Sequence, residues 1–136
     1  MQRLKSRAQF QAVLAGTTVA RTAHFALHRT GLDAQPTVPV KPGPESERPK
    51  ALFSVQEPWI GALIPKRWAK RAVTRNAIKR QIYAVSSEIE ATLMQAAHVV
   101  RLRSAFDRAK YPSATSDALK QAVRSELQQL FARAAQ

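Results

Sequence analysis

Trp59-Ile60-Gly61-Ala62-Leu63-Ile64-Pro65-Lys66-Arg67-Trp68-Ala69-Lys70-Arg71-Ala72-Val73-Thr74-Arg75-Asn76-Ala77-Ile78-Lys79-Arg80 changes character twice along its length. The first six residues are continuously apolar and stop at Pro65, the pattern of a strand covered on both faces. Seven of the fifteen residues from 66 to 80 are then Lys or Arg, and none is acidic. From Ala72 the apolar positions take up helical spacing. Ile78, Ile82, Val85, Ile89 and Leu93 follow an i, i+4, i+7, i+11, i+15 rhythm, which predicts a helix over about 72–94 with one stripe packed on a sheet.

Working outward, residues 6–15 read as a short helix. Ser6 can cap it, Phe10, Val13 and Leu14 make its stripe, and Gly16 is a stop. Thr22 to Thr30 reads as a strand, since Phe25 and Leu27 alternate with His24, Ala26 and His28. His98-Val99-Val100-Arg101-Leu102-Arg103 reads as a third strand, and 105–115 as a loop containing Pro112. A last helix is expected over about 116–133, started by Ser116 and Asp117 and striped by Leu119, Val123, Leu127 and Leu130. The order is αββαβα, an α/β (α+β) two-layer sandwich of helices on a small mixed sheet.

Residues 31–58 differ from the rest. Six of the eight prolines fall there (Pro36, Pro39, Pro42, Pro44, Pro49 and Pro58). Proline removes backbone donors and fixes φ, so the segment reads as an insertion loop inside one domain spanning 1–136. The brief run Leu52-Phe53-Ser54-Val55 can pair near its end.

Twenty-two Lys and Arg against nine Asp and Glu give a net charge of +13 in 136 residues. A compact domain tolerates that self-repulsion most easily when a polyanion neutralises it, and nucleic acid is the leading candidate. Cysteine is absent, which excludes disulfides, thiolate metal sites and a Cys nucleophile and suits a reducing cytosol. No apolar run approaches the ~20 residues of a membrane span, and the basic start has no apolar signal segment behind it. The expected address is cytoplasmic, with no membrane partner.

At about 100° per residue, Arg75, Lys79, Asn76 and Arg80 fan over about 140° of helix surface, beginning at the edge of the apolar stripe. Charges so placed flank the core and are held by it. Arg offers a planar fork for phosphate and Lys a mobile point charge. The helix start adds free N–H groups and a positive dipole end. Asn76 can accept as well as donate, so it suits a base edge or a water on a phosphate-bound Mg²⁺. Acidic partners at i±4, which a merely solvated basic face would carry, are missing.

Lys70 to Arg80, following Ile60-Gly61-Ala62-Leu63-Ile64-Pro65-Lys66-Arg67, resembles the signature of the bacterial ribonuclease P protein component: an apolar-Gly strand, Lys/Arg, then a helix bearing Arg-Asn-x-x-Lys-Arg. Phe10-Gln11-x-Val13-Leu14, Phe25-Ala26-Leu27-His28 and Leu127-Gln128-Gln129-Leu130-Phe131 are similar to its first helix, first strand and closing helix. The resemblance implies a left-handed β-α-β crossover around the 72–94 helix, against the general right-handed rule. It implies a protein subunit that assists a catalytic RNA in removing the 5′ leader from precursor tRNA, with Mg²⁺ bound mainly by the RNA. Arg75, Asn76, Lys79 and Arg80 would touch the catalytic RNA and help its metal sites, Asn76 lying near an RNA-bound Mg²⁺. Lys66, Arg67, Lys70 and Arg71 would belong to the same surface. The single-stranded leader would lie in a cleft between the sheet and the first helix, near Phe10, Phe25 and His28. The sequence departs from the pattern at Ala77 and Tyr83, where charge is lost, at Leu14, where an aromatic is lost, and in the length of 31–58.

A protein-only nuclease would need converging carboxylates or a His pair. The acids are dispersed, and Glu88 and Glu90 fall about 200° apart on a helix. His24 and His28 lie too far apart on one strand face to share an ion, and His98 reads as structural. Phe10 and Phe25 also fit core positions, as do Trp59 and Trp68. No catalytic residue and no direct metal ligand is therefore expected on this chain, and no obligate protein partner is implied. The competing readings are a non-catalytic RNA-binding module, such as a ribosome-associated protein, and a basic membrane-surface protein. The mixed stripes and strands disfavour the second.

Overall fold

A computed structural model describes residues 1–32, 57–93, 95–106 and 117–134. Its elements are β1 (Gln2–Arg3), α1 (Arg7–Leu14), β2 (Thr17–Arg21), β3 (Phe25–Thr30), β4 (Trp59–Leu63), α2 (Ala72–Glu88), a 3₁₀ turn (Glu90–Thr92), β5 (Ala97–Leu102) and α3 (Asp117–Ala134). The strands form one mixed sheet in the order β1-β4-β5-β3-β2. β4 and β5 run parallel as neighbours joined through α2, while β3 is antiparallel to both β5 and β2. The expected α+β arrangement of helices on a small mixed sheet is observed. Most of 31–58, including Leu52 to Val55, lies outside the described residues, as do Pro112 and Ser116.

Local signals start the elements where the sequence suggests. Ser6 Oγ accepts from Gln9 N at 3.2 Å while Gln9 Oε1 accepts from Ser6 N at 3.1 Å, a reciprocal cap. Gly16 stops α1 for a reason other than a left-handed turn, since no glycine among the described residues has positive φ. A Cβ there would stand 2.6 Å from Arg29 O, so glycine lets the helix end pass close to β3. α2 is shorter than its apolar stripe. Ser86 Oγ donates back to Ile82 O at 2.6 Å and Thr92 Oγ1 to Ile89 O at 2.8 Å, and the helix gives way to the 3₁₀ turn between them.

Two strands were not foreseen. β1 is only two residues long, too short to show a period. The expected strand at 22–30 is in fact the second arm of a hairpin: Thr22–His24 form its corner, and β2 is the first arm, with a register shift between Thr18 and Ala20.

Strand alternation sends side chains to two separate clusters. Phe25, Leu27, Ile60, Ala62, Val100 and Leu102 meet Ile78, Ile82 and Val85 of α2 and Leu119, Val123, Leu127 and Leu130 of α3. On the opposite face, Trp59, Ala97 and Val99 meet Leu4 and Val13, with Phe10 and Leu14 at the margin. The helices are thus divided, with α2 and α3 on one face and the short α1 on the other. His98, 1% exposed, bonds through Nδ1 to Trp59 O at 3.1 Å and is structural, in keeping with its sequence reading.

Candidate nucleic-acid interface

Pro65 ends β4, and the chain turns at once: its carbonyl accepts from Trp68 N at 3.1 Å and Ala69 N at 3.2 Å. The turn is anchored from inside by Ala69, which is buried, and by Trp68, which packs against the main core. Lys66, Arg67, Lys70 and Arg71 are exposed around that anchor. The Arg67 guanidinium lies 5.3 Å from the centroid of the Trp68 ring, which restrains the cation without neutralising it.

Arg71 is the N-cap of α2 by backbone geometry, and its side chain makes no capping hydrogen bond. Its first turn holds no acid, so the positive dipole end stays uncompensated. Arg75 is half-buried, and its Nη1 donates to Ala69 O at 3.0 Å and Lys70 O at 2.8 Å. It therefore ties the turn to the helix, a role the sequence reading did not give it. Asn76, Lys79 and Arg80 follow on the exposed face of α2, with Ile78 of the same turns 1% exposed in the core. Ion pairs among the described residues use Met1, His24 and Arg124, and none of the cations between 66 and 80. The eight residues expected on one surface are brought together on one continuous turn and helix start, with Arg75 partly spent inside it.

The expected cleft is reorganised. Phe10 is half-buried on the α1 face, where a Cβ on Gly61 would stand 2.7 Å from its ring; the glycine makes its seat. His28 is on the same face, opposite Val99 in β5. Its Nδ1 lies 3.1 Å from Thr18 Oγ1, and its Nε2 accepts from Arg101 Nε at 3.1 Å. Burial, then Arg101, then Arg21, hold its pKa below the ordinary histidine value, so it is a neutral ring. Phe25 is on the other side of the sheet. It is fully buried against the α3 cluster, with the Phe106 ring tilted 5.9 Å away, and does not share a cleft with Phe10 and His28. The physical reason is the strand period: residues 25 and 28 differ by an odd number and point to opposite faces.

Two cations missed in the sequence stand on the α1 face. The register Arg21↔Ala26, Ala26↔Arg101 and Leu63↔Arg101 runs one cross-sheet row beside the row Thr18–His28–Val99–Gly61. Arg21 is exposed and Arg101 half-buried. The signal for Arg101 was a charge inside an otherwise apolar strand, on the same alternation as Val99. Leu63, its β4 neighbour, lies two residues before Pro65, so this row and the basic turn share one end of β4. Among the described residues no three His, Asp or Glu side chains stand together as a metal ligand set, and no helix is long and apolar enough to cross a membrane.

A sequence profile of the family described as Ribonuclease P matches residues 1–134. The ribonuclease P protein component of Bordetella parapertussis is 34% identical over 133 residues, which cover 98% of this chain and 91% of the relative. That of Ralstonia pickettii is 33% identical over 129 residues, covering 95% and 76%. In three dimensions the chain is similar to the RNase P protein of Staphylococcus aureus, with a TM-score of 0.66 at 16% identity over 97% of this chain and 94% of the other. For the protein from Thermotoga maritima the TM-score is 0.62 at 16% identity, over 98% and 97%. At such identities the structural likeness concerns the fold.

Proposed function

The chain belongs to the ribonuclease P protein family, and on that premise we propose that it is the protein subunit of a ribonucleoprotein that cuts the 5′ leader from precursor tRNA. The observation that carries this reading is the set of exposed cations, without an ion pair among the described residues, on a turn and helix start locked to the core. Lys66, Arg67, Lys70, Arg71, Asn76, Lys79 and Arg80 face the catalytic RNA, and Arg75 holds the turn from which four of them project while keeping its remaining N–H groups for phosphate. Backbone phosphates suit this surface because forked and point-charge donors are mixed on it.

The chemistry of cleavage is assigned to the RNA partner, with Mg²⁺ held mainly there. The exposed amide of Asn76 would accept from a water of such an ion, and this chain alone offers no built cation site among its described residues. The precursor leader would run along the α1 face beside Phe10, His28, Arg21 and Arg101, where one aromatic edge and two cations suit a single strand. Neutral His28 serves there as a spacer and hydrogen-bonding wall. The cytoplasm is the proposed compartment, and the RNA partner suffices without an obligate protein one.

The test is reconstitution with the catalytic RNA and precursor tRNA at low Mg²⁺. Adding the chain should raise leader cleavage; no gain rejects the reading, and salt-dependent RNA binding without any gain would favour a non-catalytic RNA-binding module. About six neutralised phosphates imply that affinity falls roughly several hundredfold or more between about 50 and 200 mM salt. The double substitution Lys79→Gln with Arg80→Gln, which leaves the Arg75 clamp intact, should weaken RNA binding roughly thirtyfold at about 0.15 M salt.

A further inference from the structure

On α2, Asn76, Lys79 and Arg80 occupy exposed positions of one face, and the next position of that row is Tyr83, three residues after Arg80 and four after Lys79. Tyr83 is neutral and half-buried. The charge at this point of the surface comes from another element: the Arg3 guanidinium carbon lies 4.1 Å from the centroid of the Tyr83 ring.

Strand pairing explains how Arg3 reaches it. β1 is parallel to β4 with Arg3 opposite Ile60, and Leu4 N donates to Ile60 O at 3.0 Å. Ile60 points to the α2 face and Leu4 is buried under α1, so alternation turns Arg3 toward α2. Its neighbour Gln2 is tied to a carboxylate, with Nε2 donating to Glu57 at 2.6 Å. Arg3 is exposed and makes no ion pair among the described residues. A ring beneath a guanidinium fixes its position and keeps its charge, while its N–H edge remains open to an oxyanion.

We propose that Arg3, seated on Tyr83, is a further phosphate contact that carries the basic row of α2 across onto β1. The proposal rests on the reading of the chain as an RNA-binding subunit and specifies where the bound RNA backbone continues.

The experiment measures binding of the full chain to the catalytic RNA across a salt series, with thermal unfolding of each variant followed in parallel. Arg3→Gln should lower affinity about fivefold at about 0.15 M salt and reduce the slope of log affinity against log salt by about 0.9, one phosphate contact. The slope counts released ions, so a purely structural role for Arg3 leaves it unmoved. Tyr83→Leu should give a smaller loss and add nothing in the Arg3→Gln background, whereas Tyr83→Arg in that background should restore the slope. An Arg3→Gln slope equal to that of the unsubstituted chain overturns the proposal and leaves Arg3 as a cover for the ring. An additive loss from Tyr83→Leu, or no recovery with Tyr83→Arg, overturns it equally. Failure of the underlying reading looks different: the unsubstituted chain would not bind the RNA, or Lys79→Gln with Arg80→Gln would leave binding and slope unchanged.

Discussion

On the sheet face beneath α2 and α3, Phe25, Leu27, Ile60, Val100 and Leu102 are 1% exposed or less and pack on apolar helix stripes. The face beneath α1 holds Val99 and Ala97, but also His28, Arg101 and Thr18, and of its aromatics Trp59 is buried while Phe10 stays half-buried. An eight-residue helix cannot cover a five-stranded sheet. The first face is therefore where stability is stored, and the second is where polar groups reach water. The basic turn and α2 start project from the rim of the stable face, which gives mobile Lys and Arg side chains a fixed base.

The largest expected effect tests this division directly. Phe25→Ala removes a fully buried ring from the larger core and should cost about 3–5 kcal/mol in denaturant unfolding. Phe10→Ala removes a half-buried ring and should cost roughly half as much, while weakening precursor tRNA more than mature tRNA. Equal stability losses would break the contrast between the faces. A leader-specific defect in a folded Phe25→Ala protein would place the leader on the wrong side of the sheet.

Next in size is the corner that joins the hairpin to α3. Glu126, from α3, accepts at Oε2 from Thr22 Oγ1 at 2.7 Å and His24 N at 2.8 Å, while Oε1 lies 2.7 Å from His24 Nδ1. Phe106 stacks on the His24 ring at 4.0 Å, and Arg103 Nη1 donates to Thr22 O at 2.8 Å. Glu126→Gln keeps the shape but removes the charge that accepts from Thr22 Oγ1 and His24 N, at a cost of about 1.5–3 kcal/mol. It should leave the slope of RNA binding against salt unchanged, which separates the stable face from the basic rim. A changed slope would couple the two.

That corner also explains what could be read from the sequence. α1, α2 and α3 were legible because a cap, a breaker and a 3.6-residue stripe are local. The turn at Thr22–His24 contains no Gly, Pro, Asn or Asp; its donors are satisfied by Glu126, about a hundred residues later, so no local pattern announces it. β1 exists only because β4 offers an edge. The basic row was legible for the same reason as the helix that bears it. The α1 face is less so: the sequence resemblance places Phe25 beside Phe10 and His28, although the strand's own alternation puts Phe25 and His28 on opposite faces. Arg101 and Arg3 acquire their places only through pairing register.

The smallest effect is on pH and divides the two buried histidines between the faces. His98, on the α2 side, has its pKa lowered chiefly by burial, against a raising bond to Trp59 O, with Arg29 adding to the depression. His28, on the α1 side, is lowered by burial, then Arg101 and Arg21. In both cases the unfolded ring, with its ordinary value of 6.5, takes up a proton that the folded ring refuses. The unfolded state then binds more protons, so stability is fully present above about pH 7 and is lost as pH falls through 6.5 toward the lower folded values. His98→Gln should flatten most of this dependence in thermal unfolding between about pH 7.5 and 5.5, and His28→Gln less, because His98 is the more deeply buried ring. His28→Gln should in addition release Arg101 from its Nε2 acceptor and alter leader binding, which His98→Gln should not. A larger flattening from His28→Gln would mean that the α1 face is drier than its half-covered sheet implies, and that the contrast between the faces lies in charge more than in exposure to water.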